Sequence, residues 1–364
     1  MNKSTLATKQ QNMLDTVVEH YQLSSLNYSA LPLGNGLIND TYLITSAKKP
    51  FVLQRINDHV FQKPWQVTKN ADLINQHLSA KKVRGQYPLA TIDQLPCTNN
   101  TSLLQLESGY WRAIEFIPNS YSIDAVETPE QAEKAARAFA QFNAALSDFP
   151  AQNLAEIIPN FHDLGYRLQQ LTDATTTDKA QRKMQCQDII TCCFTQQDFI
   201  NEIAELVTKL PVRVTHNDTK INNLLFDTKS HQAIAVIDLD TCMPGYLMHD
   251  FGDMVRTCCA NLPEDGHEIE KMQIRLDIFK ALAKGYISTL NGTISKSETE
   301  SLIVGALMIP FMMAVRFLTD YLDGDKYFHV QHSQHNLVRA KNQLHLFKLL
   351  MQQRQQLSDI VRNI

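Results

Sequence analysis

The apolar pattern changes period at Pro118-Asn-Ser120, and that change constrains the fold more than any other feature of the chain. Before it, apolar residues alternate in short runs; after it, they recur at helical spacing. Asp40-Thr-Tyr-Leu-Ile-Thr45, Phe51-Val-Leu-Gln-Arg-Ile56, Thr101 to Leu106 and Tyr110 to Ile117 read as strands, the last two joined through Ser108-Gly109. A leading helix is expected around Leu14 to Tyr21 and a polar one from about Trp65 to Leu78. Beyond the break, Thr128 to Leu146, Phe161 to Leu171 and Asp198 to Leu210 carry helical spacing, and long helices resume from Lys271. The expectation is an α+β, two-lobed molecule. A small N-terminal antiparallel-sheet lobe spans residues 1–117 and a larger, mostly helical C-terminal lobe spans 118–364.

Charge and cysteine usage narrow the function classes. A formal net charge of −4 argues against a nucleic-acid-binding surface, although a local basic pocket can still hold phosphate. The seven cysteines include two adjacent pairs and no C-x-x-C spacing, which suits neither a disulfide framework nor a zinc site and fits reduced thiols in a cytoplasm. Met1 to Asn12 is polar and has no apolar signal core. The most apolar stretch, Leu302 to Leu318, is short for a membrane span and contains Pro310 and Arg316, so it reads as a buried core helix.

Polar residues crowd between two apolar runs from Val214 to Asp240, with a turn at Thr228 to His231. A hairpin centred between Ser230 and His231 would set Asn223 opposite Asp238, close enough to share a magnesium ion on neighbouring phosphate oxygens. Asp218 then lies on the loop entering the hairpin, where its carboxylate can take a proton from an attacking hydroxyl, and Lys220 is placed to assist at the transferred group. Phosphoryl transfer needs those parts: a carboxylate, a metal and a cation.

Asp218-x-Lys220-x-x-Asn223 resembles the catalytic loop of protein kinases. His216 before it and Ile237-Asp-Leu-Asp240 after it resemble the aminoglycoside phosphotransferase and choline kinase superfamily, which implies a protein-kinase-like fold, ATP and Mg²⁺. The resemblance implies that Asp218 is the catalytic base, that Asn223 and Asp238 are metal ligands, and that Asp240 and Asp250 are mainly structural. His216 to Asn223, Val236 to Thr241 with Met243-Pro-Gly245, Asp250-Phe-Gly-Asp253, Gly36-Leu-Ile-Asn-Asp-Thr-Tyr42, Phe51 to Asn57 and the segment from Arg316 to Asp325 with Tyr327 together resemble the N-acetylhexosamine 1-kinases. Those enzymes transfer the ATP γ-phosphate to the anomeric hydroxyl of N-acetylglucosamine or N-acetylgalactosamine. The positions matching their sugar contacts are Asp218, Arg316 and Tyr327. An arginine in an apolar helix is costly unless paired, and either sugar oxygens or Asp320, one helical turn on, would pair it.

The nucleotide side is less complete. Gly34 and Gly36, with Asn39 or Thr41 nearby, fit a turn where backbone can approach phosphate. Gln54 stands where protein kinases carry the phosphate-binding lysine of V-A-I-K, and no glutamate between Phe51 and Leu106 supplies that lysine's helix partner. Arg55, on the other strand face, is either a substitute or a solvated surface residue. Glu115 and Ile117 fit the connector whose backbone meets adenine. Competing functions are a kinase of an aminoglycoside, choline or another hydroxylated amine, and a catalytically silent nucleotide-binding regulator.

Overall fold

The computed structural model describes residues 8–23, 28–34 and 38–364, so Gly36 lies outside the described residues. Two compact units emerge, one from the described parts of residues 1–76 and 91–120, the other from residues 77–90 and 121–364.

The smaller unit is an antiparallel sheet with a helix on one face. Its strands are β1 (Tyr28–Pro32), β2 (Asp40–Ser46), β3 (Phe51–Ile56), β4 (Gln94–Leu95), β5 (Leu104–Leu106) and β6 (Gly109–Glu115), in the order β1-β2-β3-β6-β4 with β5 also pairing β6. Cross-strand partners share a face. Tyr42, Ile44, Leu53, Trp111 and Ala113 therefore form one side, and they bury against Leu14, Val17 and Val18 of α1 (Thr8–Glu19). The other side carries Thr41, Gln54 and Arg112, aligned across β2, β3 and β6. The strand expected from Thr101 is shorter than its sequence pattern. Thr101 is held in a turn, its carbonyl accepting from Cys97 N and its hydroxyl donating to the Leu103 carbonyl, and pairing starts at Leu104.

A long polar helix, α2 (Pro64–Val83), follows β3 in the chain. The larger unit is mostly helical: α3 (Pro129–Ala145), α4 (Leu164–Thr177), α5 (Gln187–Phe194), α6 (Gln197–Val207), α7 (Leu247–Cys258), α8 (Leu276–Leu290), α9 (Lys296–Asp323), α10 (His335–Gln352) and α11 (Arg354–Arg362). Capping boxes start two of them. Thr128 with Gln131 begins α3 and Ser295 with Glu298 begins α9, while Gly324 ends α9 in the left-handed conformation that glycine adopts without strain. α9 is long and apolar enough to cross a membrane by composition, yet it is the buried centre of this unit. Two glycines set how closely α7 approaches it. A Cβ on Gly252 would strike the Gly305 carbonyl, and one on Gly305 would strike the Met248 carbonyl, so these helices meet backbone to backbone.

The strands of this unit interrupt the helices where the sequence crowds its polar residues. They are β8 (Arg213–Thr215), β9 (Leu224–Asp227), β10 (Ala233–Val236) and β11 (Met243–Gly245), paired as β10-β9 and β11-β8; β7 (Ser120–Tyr121), at the boundary between the units in the chain, adds to β9. Asp227 builds the β9–β10 turn by accepting from Lys229 N, Ser230 N and the Ser230 hydroxyl. The expected register of this hairpin is corrected by one residue. An irregularity between Ala233 and Ala235 shifts the ladder so that Leu225 faces Ala235 and Leu224 faces Val236. Asn223 is therefore opposite Ile237, whose N–H bonds the Asn223 carbonyl at 2.9 Å, and Asp238 comes one residue later.

Candidate active site

The catalytic loop hangs between β8 and β9 and is pinned from below by α7. Asp250, fully buried in the first turn of α7, accepts Asn217 N at 2.7 Å, His216 N at 3.0 Å and Asn143 Nδ2 at 2.8 Å. Thr219 adds a hydroxyl bond to the Asp250 carbonyl at 2.6 Å. Burial pushes the Asp250 carboxyl up from its ordinary range, and the donors from Asn143, His216 and Asn217 oppose that rise.

His216 works as a brace rather than as an acid or base. Its Nδ1 accepts from Asp218 N at 3.3 Å and its Nε2 donates to the Ile237 carbonyl at 2.9 Å, an arrangement only the neutral Nε2–H tautomer satisfies. Asn217 adopts φ +64° and bonds Thr241 O, Thr215 O and the Thr215 hydroxyl. From Thr215 to Thr219, each polar side chain has a protein partner. Arg213, at the start of β8, clasps buried Glu298 through Nε and Nη2 at 2.8 and 3.0 Å, tying the loop to the first turn of α9.

Asp218 emerges from this framework partly exposed. Lys220 Nζ sits 2.9 Å from its Oδ1, and Asn223 Nδ2 lies 3.0 Å from its Oδ2 and 2.8 Å from its carbonyl. Burial pushes the carboxyl up, but the Lys220 ammonium beside it outweighs burial and holds the group below the usual carboxylate range. The Asp218 carboxylate in turn raises Lys220. Because the Asn223 amide nitrogen is spent on Asp218, its Oδ1 points the other way. Asp238, exposed at the mouth of the hairpin, takes the left-handed conformation, φ +61° and ψ +61°, which Asp tolerates better than most residues.

A second cluster surrounds Arg316 on α9. Its guanidinium carbon lies 4.9 Å from the Phe161 ring centroid, 5.3 Å from Phe328 and 5.5 Å from Tyr327. Among the described residues no carboxylate lies within ion-pair distance of it. The pairing with Asp320 is not formed, because Asp320 is committed elsewhere: it accepts from Lys326 N, Tyr327 N, Phe328 N and Asn336 Nδ2 at 2.8–2.9 Å, and so shapes the turn that delivers Tyr327 and Phe328. Burial lowers Arg316 from its ordinary range, and burial with the nearby Arg316 charge lowers Arg167 to about 10. His162 and His249 stand 4.6 Å apart beside this cluster; the Asn217 backbone reaches His162, while neither buried ring nitrogen of His249 has a hydrogen-bond partner among the described residues. Burial pushes His249 down to about 3 and His162 well below its usual value.

A carboxylate base with an adjacent ammonium, an amide oxygen and a second acid at one hairpin mouth is the equipment of phosphoryl transfer. The sequence agrees. A family model described as the phosphotransferase enzyme family matches residues 29–274, more than half of the chain. The chain belongs to that family.

Solved structures share the α+β, kinase-like fold of this phosphotransferase over nearly its whole length. An aminoglycoside phosphotransferase from Alicyclobacillus acidocaldarius is 16% identical, with a TM-score of 0.63 and coverage of 98% of both chains. A microcompartment-associated aminopropanol kinase is 16% identical at a TM-score of 0.61, covering 95% of this chain and 98% of its own. A spectinomycin phosphotransferase, solved with ADP and spectinomycin, is 13% identical at a TM-score of 0.54, covering 96% and 100%.

In the smaller unit of this phosphotransferase the expected nucleotide residues take individual positions. Gly34 is left-handed, φ +76°, with open space where a Cβ would stand. Asn39 Oδ1 accepts Asn57 N at 3.0 Å, clamping the start of β2 to the end of β3. Gln54 bonds Thr41 and Arg112. Glu115 pairs with Lys49 at 2.9 Å and gives its N–H to the Asp93 carbonyl, and the Ile117 carbonyl accepts the Ser120 hydroxyl at 2.6 Å. Sequence reasoning missed Phe161, Phe328, Arg167 and His162 around Arg316. Phe328 follows Tyr327 directly and was within reach; the Phe161 region lies about 155 residues away and carries no pattern linking it to α9.

Proposed function

We propose that this phosphotransferase is an ATP- and Mg²⁺-dependent kinase of N-acetylhexosamines, phosphorylating the anomeric hydroxyl of N-acetylglucosamine or N-acetylgalactosamine. The observation that carries the acceptor class is Arg316 enclosed by three aromatic rings, with Arg167 nearby and no carboxylate at ion-pair distance among the described residues. A cationic acceptor such as choline or an aminoglycoside needs acidic groups, and here it would meet a guanidinium. A neutral sugar suits the site, because rings cover its apolar faces and the arginine donates to its oxygens.

Asp218 is the base. Its lowered carboxyl range keeps it ionised at neutral pH, and one oxygen takes the hydroxyl proton while Lys220 and Asn223 hold the carboxylate in place. Lys220 contributes positive charge near the transferred group. Asn223 Oδ1 and Asp238 are hard oxygen donors that would hold Mg²⁺. When bound, the metal neutralises charge on the nucleotide phosphates. Gly34, Gly36, Asn39, Gln54, Glu115 and Ile117 serve the nucleotide, and Arg316 with Tyr327 orients the sugar. The ADP bound by the spectinomycin enzyme supports the nucleotide reading.

Coupled ADP release with Mg·ATP tests the acceptor across N-acetylglucosamine, N-acetylgalactosamine, choline, aminopropanol and kanamycin. Turnover on the acetylated sugars and none on the cations is the expected result. Preference for a cationic amine would overturn the acceptor class while leaving the kinase chemistry intact.

A further inference from the structure

Asp253 is a buried acid that the phosphoryl-transfer chemistry leaves without a task. It lies one turn along α7 from Asp250, on the face that the helix presents to the catalytic loop. The loop climbs that face. His216 and Asn217 bond the Asp250 carboxylate, and the Thr219 hydroxyl bonds the Asp250 carbonyl, which points along the helix toward the next turn. Asp253 stands on that turn, beside the part of the loop that carries Asp218 and Lys220. Burial pushes its carboxyl up and the Arg256 guanidinium opposes that rise, while the charges of Asp218 and Lys220 both bear on it.

The two oxygens of Asp253 have different fates. Oδ1 accepts Arg256 Nε at 2.8 Å, and Arg256 is held in turn by Glu264 through Nη1. Oδ2 is buried as well, and it has no hydrogen-bond partner among the described residues. The residue as a whole is 5% exposed. A carboxylate oxygen left unmet in the interior is costly, and a donor brought by a ligand recovers that cost. The clamp on Oδ1 fixes the direction of Oδ2 before any ligand arrives. Because the adjacent guanidinium already matches the charge of Asp253, what is missing is an O–H or N–H donor rather than a cation.

We propose that Asp253 is a specificity-determining residue of the acceptor site: its Oδ2 accepts a hydrogen bond from a hydroxyl or amide N–H of the acceptor other than the hydroxyl that reacts. Arg256 is the positioning residue that holds the carboxylate in plane. The assignment rests on the kinase reading above, which brings the acceptor to Asp218, and it adds the demand for a second donor on the acceptor. A sugar supplies several such donors. Choline, whose reacting hydroxyl is its only donor, supplies none.

The experiment is steady-state kinetics of the full-length protein with Mg·ATP. The acceptors are N-acetylglucosamine, its 3-deoxy, 4-deoxy and 6-deoxy analogues, and 2-deoxyglucose, all of which keep the anomeric hydroxyl. The wild type should lose about tenfold or more in kcat/KM on at least one analogue, the scale of a lost hydrogen bond to a charged group. Asp253→Asn places an N–H where Oδ2 stood, so it should raise KM for N-acetylglucosamine by about tenfold or more and leave KM for ATP unchanged. In that variant the same analogue should cost less than about threefold further, because mutation and deletion remove one and the same contact. If Asp253→Asn does not fold, Asp253→Glu, which keeps the charge beside Arg256 and displaces the oxygen, should show the same coupling. Additive losses for every analogue, or an unchanged KM for the sugar in Asp253→Asn, would overturn the assignment while hexosamine turnover by the wild type stands. A wild-type protein that turns over no hexosamine would bring down the acceptor reading, and this assignment with it.

Discussion

The catalytic loop and the cluster around Arg316 belong to the same unit but satisfy their polar groups in opposite ways. From Thr215 to Thr219 every polar side chain is bonded to protein, and Asp250 anchors two successive backbone N–H groups from beneath. Around Arg316, the cation faces three rings, and the neighbouring His249 buries two nitrogens that no described residue meets. The first region is built to hold still. The second leaves the Arg316 charge without a carboxylate and the His249 nitrogens without a partner among the described residues, so part of its polar capacity is open to a ligand. Chemistry fixed in place and recognition left to be completed by the acceptor is a workable division of labour for a transferase.

Substitutions can break that contrast, the largest effect first. Asp218→Asn should lower kcat by at least about a hundredfold with nearly intact nucleotide affinity, since it removes proton acceptance while preserving shape; unchanged turnover would remove Asp218 from the role of base. Asp250→Ala strands the His216 and Asn217 N–H groups, each buried donor costing on the order of 1–3 kcal/mol, so the urea midpoint should fall clearly together with activity. A variant as stable as the wild type would show that the loop does not depend on its anchor. Arg316→Met keeps the bulk and removes the donors, and it should raise KM for the sugar by about tenfold or more with the thermal midpoint nearly unchanged. A large loss of stability instead would make Arg316 part of the framework.

Two smaller effects sharpen the comparison. The Lys220 charge holds Asp218 ionised, so kcat/KM should stay level as pH falls from 7 and drop only below the ordinary carboxylate range of about 4. Lys220→Met removes that charge, lets the Asp218 carboxyl rise and moves the acidic limb to higher pH; a limb that stays put would separate the two residues. His249→Phe replaces unbonded ring nitrogens with carbon, and the expected change in thermal midpoint is zero or a small increase. A marked decrease would mean that those nitrogens are satisfied in solution and that the contrast between the regions is overstated.

What the sequence revealed follows the same division. The loop residues Asp218, Lys220 and Asn223 are close in sequence, so short-range spacing sufficed to bring them together, and the change of period at Pro118 announced a sheet followed by helices. The hairpin register escaped by one residue because an irregularity at Ala233–Ala235 carries no distinctive sequence mark. The α7 helix was not anticipated, since its polar face is Asp250, Asp253 and Arg256 turned inward, which defeats an amphipathic reading. The ring of Phe161, Tyr327 and Phe328 around Arg316, and the Gln54–Arg112 pair, join positions far apart in sequence through packing and sheet register, which a single sequence does not encode locally.

The central claim is that an ordered Asp218 directs phosphate onto a neutral sugar oriented by Arg316. Its most direct test is two-dimensional ³¹P–¹H NMR of the product formed from N-acetylglucosamine and Mg·ATP. A phosphorus signal coupled to the anomeric proton is the predicted result. Phosphate on the 6-hydroxyl, or no phosphorylated sugar while an amine acceptor turns over, would contradict it.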